Sequence, residues 1–430
     1  VVKKIPSGEM EPDVRKWVKF SGANWEADSK GFYYSAYDEP AKGAELSGQK
    51  RFQKVYYHAL GTDQSKDRLI YKDDKNPLRY FHGMDDGDKG KWLFVSGSEG
   101  THGTELLYRR ADVTGPFKVL FPGFKYDYGI AHVKDDVAYV YTNDNAPNYR
   151  LAMIDLSDPK GGLVDVIPEN TDNLLEGASF VGGYIMAKYL EDAMSKVYQY
   201  DMEGSLVREV SLPTIGTAGG FGGKEEYTET FYALTNFIAP SSIYRYDLAT
   251  GVSTLYAQPE LTYDPDLFVA EQVFFTSKDG TQVPMFLTHR KDIKLNGKNT
   301  VYLYGYGGFN ISVTPNFSPT QIAHIEQGGI YAVVTLRGGG EYGEKWHEAG
   351  MLGNKQNVFD DFISAAEYLI DKKYTTSEKI AIAGGSNGGL LVGACMTQRP
   401  DLFAVAFPAV GVMDMLRYHK FTVCWGWAVE

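Results

Sequence analysis

Only two of the 430 residues are cysteines, Cys395 and Cys424, and with the eight histidines they form no cluster at metal-ligand spacing. Neither a disulfide framework nor a structural zinc site organises such a chain. No metal and no other cofactor is implied, and each thiol is expected to pack as a small apolar group. Positive charge is also in short supply: 43 lysines and arginines stand against 55 aspartates and glutamates, a net charge of −12. Phosphate-binding surfaces need clustered Lys and Arg, so no nucleic-acid partner is expected. No apolar run approaches the roughly 18 residues that cross a bilayer as a helix, so no membrane partner is expected either. A starting methionine is missing too. Val1 opens the chain and no signal-like stretch precedes Ser7, so we expect that processing or truncation has removed the true start. Cytoplasmic and periplasmic locations both stay open.

What is abundant is aromatic and glycine. Aromatic residues make up 14% of the chain, with 31 tyrosines, and there are 47 glycines. That mixture favours many short strands joined by tight turns. Hydrophobic content of 43% with 23% charge describes a globular protein, and 430 residues are too many for one ordinary core, so two domains are expected.

From about residue 18 to 262 one unit recurs: an aromatic-rich strand after a Gly or Asp turn, then a second strand. The first strands are Gly31-Phe32-Tyr33-Tyr34, Lys91-Trp92-Leu93-Phe94, Val137-Ala138-Tyr139-Val140, Gly183-Tyr184-Ile185-Met186 and Thr230-Phe231-Tyr232-Ala233. Their partners are Val55-Tyr56-Tyr57-His58, Leu106-Leu107-Tyr108-Arg109, Leu151-Ala152-Met153-Ile154, Val197-Tyr198-Gln199-Tyr200 and Ile243-Tyr244-Arg245-Tyr246. Asp155, Asp201 and Asp247 close the last three partners at intervals of 46 residues. A four-stranded propeller blade occupies roughly 40–50 residues, so about five blades are visible over 1–262. A β-sandwich is the alternative, but it does not account for a period held over five units.

After Tyr263 the pattern changes. Val273-Phe274-Phe275 and Val283-Pro284-Met285-Phe286-Leu287 flank Asp279-Gly280, a hairpin signal. Buried-type strands follow at Val301–Tyr304, Tyr331–Val334 and Ile380–Ala383, and apolar residues at 358, 359, 362, 365, 366 and 369 have helical spacing. Alternating strand and helix over 263–430 predict a mostly parallel sheet with helices on its faces.

The chemistry concentrates at Gly384-Gly385-Ser386-Asn387-Gly388-Gly389, a G-x-S-x-G pattern after a strand and before the apolar stretch Leu390–Met396. A serine there sits on a strained turn with its hydroxyl clear of the sheet, and the glycines let strand and helix approach. Ser386 is therefore the candidate nucleophile. The tetrahedral intermediate needs donors aimed at its oxyanion: the N–H of Asn387 is one. The second is expected from the loop Gly305-Tyr306-Gly307-Gly308-Phe309, where Tyr306 can contribute its hydroxyl. The alternative for that loop is a glycine turn beside a packed tyrosine.

At these residues the chain resembles the prolyl oligopeptidase family of serine peptidases. The resemblance rests on Leu303-Tyr304-Gly305-Tyr306-Gly307-Gly308-Phe309-Asn310, on Leu336-Arg337-Gly338-Gly339-Gly340-Glu341-Tyr342-Gly343, on the Ser386 motif and on Val412-Met413-Asp414-Met415-Leu416. It extends back through Gly61-Thr62-Asp63-Gln64-Ser65 to Val18-Lys19-Phe20-Ser21. It implies a seven-bladed propeller capping an α/β-hydrolase domain and admitting short proline-containing peptides, cleaved after proline through an acyl-enzyme on Ser386. It implies Tyr306 and the Asn387 N–H as the oxyanion hole, and Trp427 stacking on the substrate proline with Phe309 and Val412 lining the same pocket. We expect a monomer.

In hydrolases of this fold the triad runs Ser, then Asp or Glu, then His. After Ser386 the acids are Asp401, Asp414 and Glu430 and the histidine is His419, and none matches the family's acid or base. Asp414 with His419 falls in a segment that resembles a non-triad part of the family, and His347 is read as structural. The chain is therefore expected to be a piece of a longer protein, by fragmentation or cleavage. Related exopeptidases, dipeptidyl or acylaminoacyl, are the nearest alternative. A dipeptidyl peptidase needs paired glutamates to hold the substrate amine, and Glu225-Glu226 sit in a predicted propeller turn. A non-catalytic propeller used as a binding module leaves the nucleophile turn unexplained.

Overall fold

The computed structural model describes residues 2–5, 7–85 and 90–430; Val1, where the missing start was inferred, lies outside them. Five antiparallel four-stranded sheets follow one another in the sequence. The first comprises Asn24–Trp25, Gly31–Ala36, Lys54–Ala59 and Arg68–Lys72; the second Tyr80–Asp85, Trp92–Ser98, Glu105–Arg110 and Lys118–Phe121. The third comprises Tyr128–Lys134, Val137–Thr142, Arg150–Asp155 and Val164–Ile167. The fourth comprises Leu174–Val181, Tyr184–Glu191, Met194–Asp201 and Leu206–Glu209; the fifth Thr217–Gly220, Glu229–Thr235, Ser242–Asp247 and Ser253–Ala257. Each recurring pair of the sequence is the middle pair of one blade. The aspartate period has a local cause: Asp155 accepts the Ser157 N–H at 2.8 Å, Asp201 that of Ser205 at 2.7 Å and Asp247 that of Thr250 at 2.8 Å. Each aspartate shapes the turn into the blade's outermost strand.

The chain divides into two compact units. The first holds residues 1–146, 151–168 and 416–429. Its blades close on buried rings, with Phe94, Tyr108, Phe121 and Tyr128 in one cluster and Phe32 and Tyr34 in another. Residues 416–429 pack in this unit: the Lys50 N–H donates to the Thr422 carbonyl at 2.9 Å and the Trp425 ring lies 5.8 Å from that of Tyr80.

The second unit holds residues 147–150, 169–415 and Glu430, and so contains the fourth and fifth blades with a six-stranded sheet. Gln199 links those two blades, donating to the Leu248 carbonyl and accepting from the Tyr246 hydroxyl, both at 2.9 Å. The strands of the large sheet are β1 (Phe268–Thr276), β2 (Gln282–Arg290), β3 (Val301–Tyr304), β4 (Ile330–Val334), β5 (Ile380–Gly385) and β6 (Val405–Ala409), in spatial order β1-β2-β4-β3-β5-β6. β1 and β2 form the antiparallel hairpin, turning at Asp279-Gly280, where Gly280 takes φ of +93°. β4, β3, β5 and β6 are parallel. The helices are α1 (Pro319–Glu326), α2 (Glu344–Glu348), α3 (Lys355–Asp371) and α4 (Asn387–Gln398).

The core of this sheet takes Val301 and Leu303, Ala332 and Val334, and Ile380 and Ile382 from its strands, and Phe362, Ala366 and Leu369 from α3. Cys395 is buried in that core from α4, as expected; Cys424 is only half-buried. It lies in a 3-10 turn with its Sγ 3.7 Å from the Thr422 hydroxyl, so it is not a core group. Among the described residues no helix is long and apolar enough to cross a membrane.

Candidate active site

Parallel register builds the site. Tyr304 of β3 pairs with Ala383 of β5, and Gly385 of β5 with Ala409 of β6, so the chain leaves all three strands at one edge of the sheet. In open α/β sheets that carboxyl edge is where ligands bind. Gly305 to Asn310 follow β3 there, Ser386 follows β5, and Val412 follows β6.

Ser386 stands between β5 and α4 with φ of 57° and ψ of −114°, a conformation disfavoured for a residue with a Cβ. Two glycines make the turn feasible. A Cβ on Gly384 would lie 2.3 Å from the Gly388 carbonyl oxygen, and a Cβ on Gly388 would lie 2.7 Å from the Gly305 carbonyl oxygen. Strand, helix and the loop after β3 therefore meet backbone to backbone. The Ser386 N–H is tied to the Ala409 carbonyl at 2.9 Å, which fixes the turn to the end of β6. Asn387 is the first residue of α4, and first-turn N–H groups of a helix have no acceptor within it.

Burial pushes the Tyr306 phenol above its usual range, and the nearby Ser386 side chain opposes that shift. The phenol is thus a protonated donor at neutral pH. The Asn387 side chain is buried and donates through Nδ2 to the Tyr306 carbonyl at 2.7 Å. Ser386, Asn387 and Tyr306 form one cluster, and Phe309 follows three residues later with φ of 61°.

The loop carrying Tyr306 is fixed along its length. The Gly305 N–H donates to the Ala383 carbonyl at 3.3 Å and the Asn310 N–H to that of Gly338 at 3.2 Å. Lys355 Nζ reaches the Gly307 carbonyl at 3.2 Å, and burial lowers that lysine against the pull of Glu430. The Phe309 N–H donates to Glu430 Oε2 at 3.0 Å. The same oxygen lies 3.2 Å from His347 Nε2, and His347 Nδ1 lies 3.1 Å from Glu344 Oε1. Carboxylates only accept, so a ring held this way donates from both nitrogens as an imidazolium. Burial opposes the charge, but the Glu344 and Glu430 carboxylates outweigh it and raise His347 to about 9.

Sequence reasoning located Ser386, Tyr306 and Asn387 but passed over Glu430 and Lys355. The one signal available was Glu344 three residues before His347, neighbours on a helix face. Trp427 lies at the end of a 3-10 turn, Cys424–Trp427, and belongs to the first unit. Asp414 is in the second unit and His419 in the first, in the 3-10 turn Tyr418–Lys420 with its ring edge-on to Tyr418 at 5.8 Å. Glu225-Glu226 occupy an exposed turn before the strand Glu229–Thr235. Among the described residues no group of three or more His, Cys, Asp or Glu is arranged to hold a metal.

Residues 1–259 match the model of the prolyl oligopeptidase N-terminal β-propeller domain, and residues 315–430 that of the prolyl oligopeptidase family. The chain belongs to the prolyl oligopeptidase family. It is therefore a β-propeller with an α/β-hydrolase domain, of a serine peptidase family. It is 47% identical over 414 residues to a prolyl endopeptidase of Elizabethkingia miricola, covering 96% of this chain and 58% of the relative. To a dual-function macrocyclase-peptidase of Galerina marginata it is 36% identical, covering 98% of this chain and 59% of the relative. A solved prolyl endopeptidase superposes with a TM-score of 0.92 at 40% identity, over 99% of this chain and 62% of that one. Prolyl oligopeptidase B of Galerina marginata, bound to a 25-residue macrocyclization substrate, gives a TM-score of 0.92 at 34% identity, over 96% of this chain and 59% of that one. The chain thus spans about three fifths of the length of the family members it matches.

Proposed function

We propose that the protein is a serine endopeptidase that hydrolyses short peptides on the carboxyl side of proline, with Ser386 as nucleophile. The observation that carries this is the strained Ser386 turn at the carboxyl edge of a parallel sheet, where Asn387 ties it to the backbone of Tyr306. In the proposed reaction the Ser386 oxygen attacks the carbonyl carbon of the proline residue, and its proton passes through a base to the leaving amine. The Asn387 N–H and the Tyr306 hydroxyl take the negative charge that develops on the carbonyl oxygen. Collapse of the intermediate expels the amine and leaves an acyl group on Ser386, which water then removes.

A serine hydroxyl needs an adjacent base. His347, with both nitrogens on carboxylates, does not serve, and we place the base and its acid outside residues 1–430. Phe309 and Val412, both in the second unit, are proposed as apolar lining for the proline ring, which is rigid and offers no donor. We propose 1–262 as propeller and 263–430 as hydrolase domain; 262/263 falls between the last strand of the fifth blade and β1.

The test is to assay the intact protein on proline peptides with blocked and with free amino ends. An endopeptidase cleaves the blocked substrates at least as well. A requirement for the free amine would assign the protein to the exopeptidases instead, with Glu225 and Glu226 the first residues to mutate.

A further inference from the structure

Phe309 is held through its own backbone by a charged side chain. Its N–H donates to Glu430 Oε2 at 3.0 Å, and Glu430 is anchored through the same oxygen to His347 at 3.2 Å. His347 is wholly buried and is fixed in turn by Glu344, its neighbour one turn earlier on α2. Phe309 lies three residues from Tyr306, and both φ of Phe309 and φ of Asn310 are positive, at 61° and 54°. A stretch of that conformation does not hold itself, because non-glycine residues leave the left-handed region readily when nothing constrains them.

We propose that Glu344, His347 and Glu430 form a charged brace that sets the position of the oxyanion loop, with His347 and Glu430 acting as positioning residues for the Tyr306 hydroxyl. The inference rests on the serine-peptidase reading of Ser386. The brace works by charge. As an imidazolium, His347 donates to Glu344 and Glu430 at once; as a neutral ring it donates to one and turns a lone pair on the other. The groups that face it are Glu344 from α2 and Glu430, which itself interacts with Lys355 from α3 and with the Tyr306 hydroxyl. Because His347 is raised above its ordinary 6.5, the brace is complete below that pH and is lost as pH rises through about 9. The Tyr306 phenol is itself raised above 10.0, so the two events separate.

The experiment measures kcat and KM for a blocked proline peptide, with the rate of phosphonate labelling at Ser386, in the intact protein from pH ~6 to ~10. We expect kcat and labelling to fall together near pH 9 in the wild type while KM changes less. Glu430→Gln, of the same size but uncharged, should lower kcat roughly 10-fold at neutral pH, the scale of a small misplacement at a reacting centre. Glu430→Asp, which keeps the charge, should recover part of it, and His347→Gln should remove the alkaline fall. A wild type that labels but shows no fall near that pH overturns the brace without touching the nucleophile, and that arm needs no variant to fold. Folded variants with wild-type kcat and pH profile overturn it as well. A wild type that never labels at Ser386 overturns the peptidase reading, and the inference with it.

Discussion

At the scale of single residues, the site depends on a serine in a costly conformation facing a tyrosine that stays protonated. Tyr306→Phe deletes one hydroxyl and leaves the ring, so kcat should fall by roughly 10²-fold with KM nearly unchanged, the usual cost of one lost oxyanion donor. Steady-state kinetics of the intact variant check this; a loss confined to KM would make Tyr306 a substrate-binding residue. Ser386 and Tyr306 were legible in the sequence because glycines surround both, and a glycine-flanked Ser or Tyr after a buried strand has few other uses. Glu430 and Lys355 were not. Their partners are backbone groups of Phe309 and Gly307, far away in the sequence, and a backbone group leaves no signature in side-chain pattern.

At the scale of elements, what the sequence disclosed follows burial. The second strand of the first blade, Gly31–Ala36, is buried at every position, and Trp92–Ser98 at most of them, so these strands show as the aromatic-rich apolar runs Phe32-Tyr33-Tyr34 and Trp92-Leu93-Phe94-Val95. The outermost strands Leu206–Glu209 and Ser253–Ala257 are almost wholly exposed and carry no such run, and the innermost strand of the fifth blade is only Thr217-Ala218-Gly219-Gly220. Those strands exist because a neighbour supplies the ladder of hydrogen bonds, which composition does not record. The turn into α4 can be tested by a matched pair. A Cβ at position 384 would lie 2.3 Å from a backbone oxygen, whereas at 385 its nearest neighbour is 3.9 Å away. Gly384→Ala should therefore lower Tm by several degrees, the effect of about 1–3 kcal/mol of overpacking, and Gly385→Ala should change it little. Equal melting temperatures for the two variants would mean that strand and helix are not packed as closely as this.

At the scale of the whole molecule, the second unit is tied together across its sheet by one buried cation. Arg337, just past β4, donates through Nε to Asp361 of α3 at 2.9 Å and is also paired with Asp279 in the β1–β2 turn. Its side chain is 5% exposed and that of Asp361 0%, while the pair Arg399–Asp401 is 35% and 63% exposed. Asp361→Ala should cost about 3–5 kcal/mol, because it leaves a buried guanidinium short of its partner. Asp401→Ala should cost at most about 1 kcal/mol. Chemical denaturation of the two variants checks the contrast. The Arg337 hydrogen bond, against some burial, holds Asp279 down to about 2, so its contribution is present above the ordinary 3.8 and is lost as pH falls through about 2. The central claim, that Ser386 is the nucleophile of a proline-directed peptidase, is tested most directly by exposing the intact protein to a proline-containing phosphonate and locating the adduct by peptide mass spectrometry. The account predicts a single adduct on Ser386, absent from Ser386→Ala. An adduct elsewhere with peptidase activity retained in Ser386→Ala would contradict it.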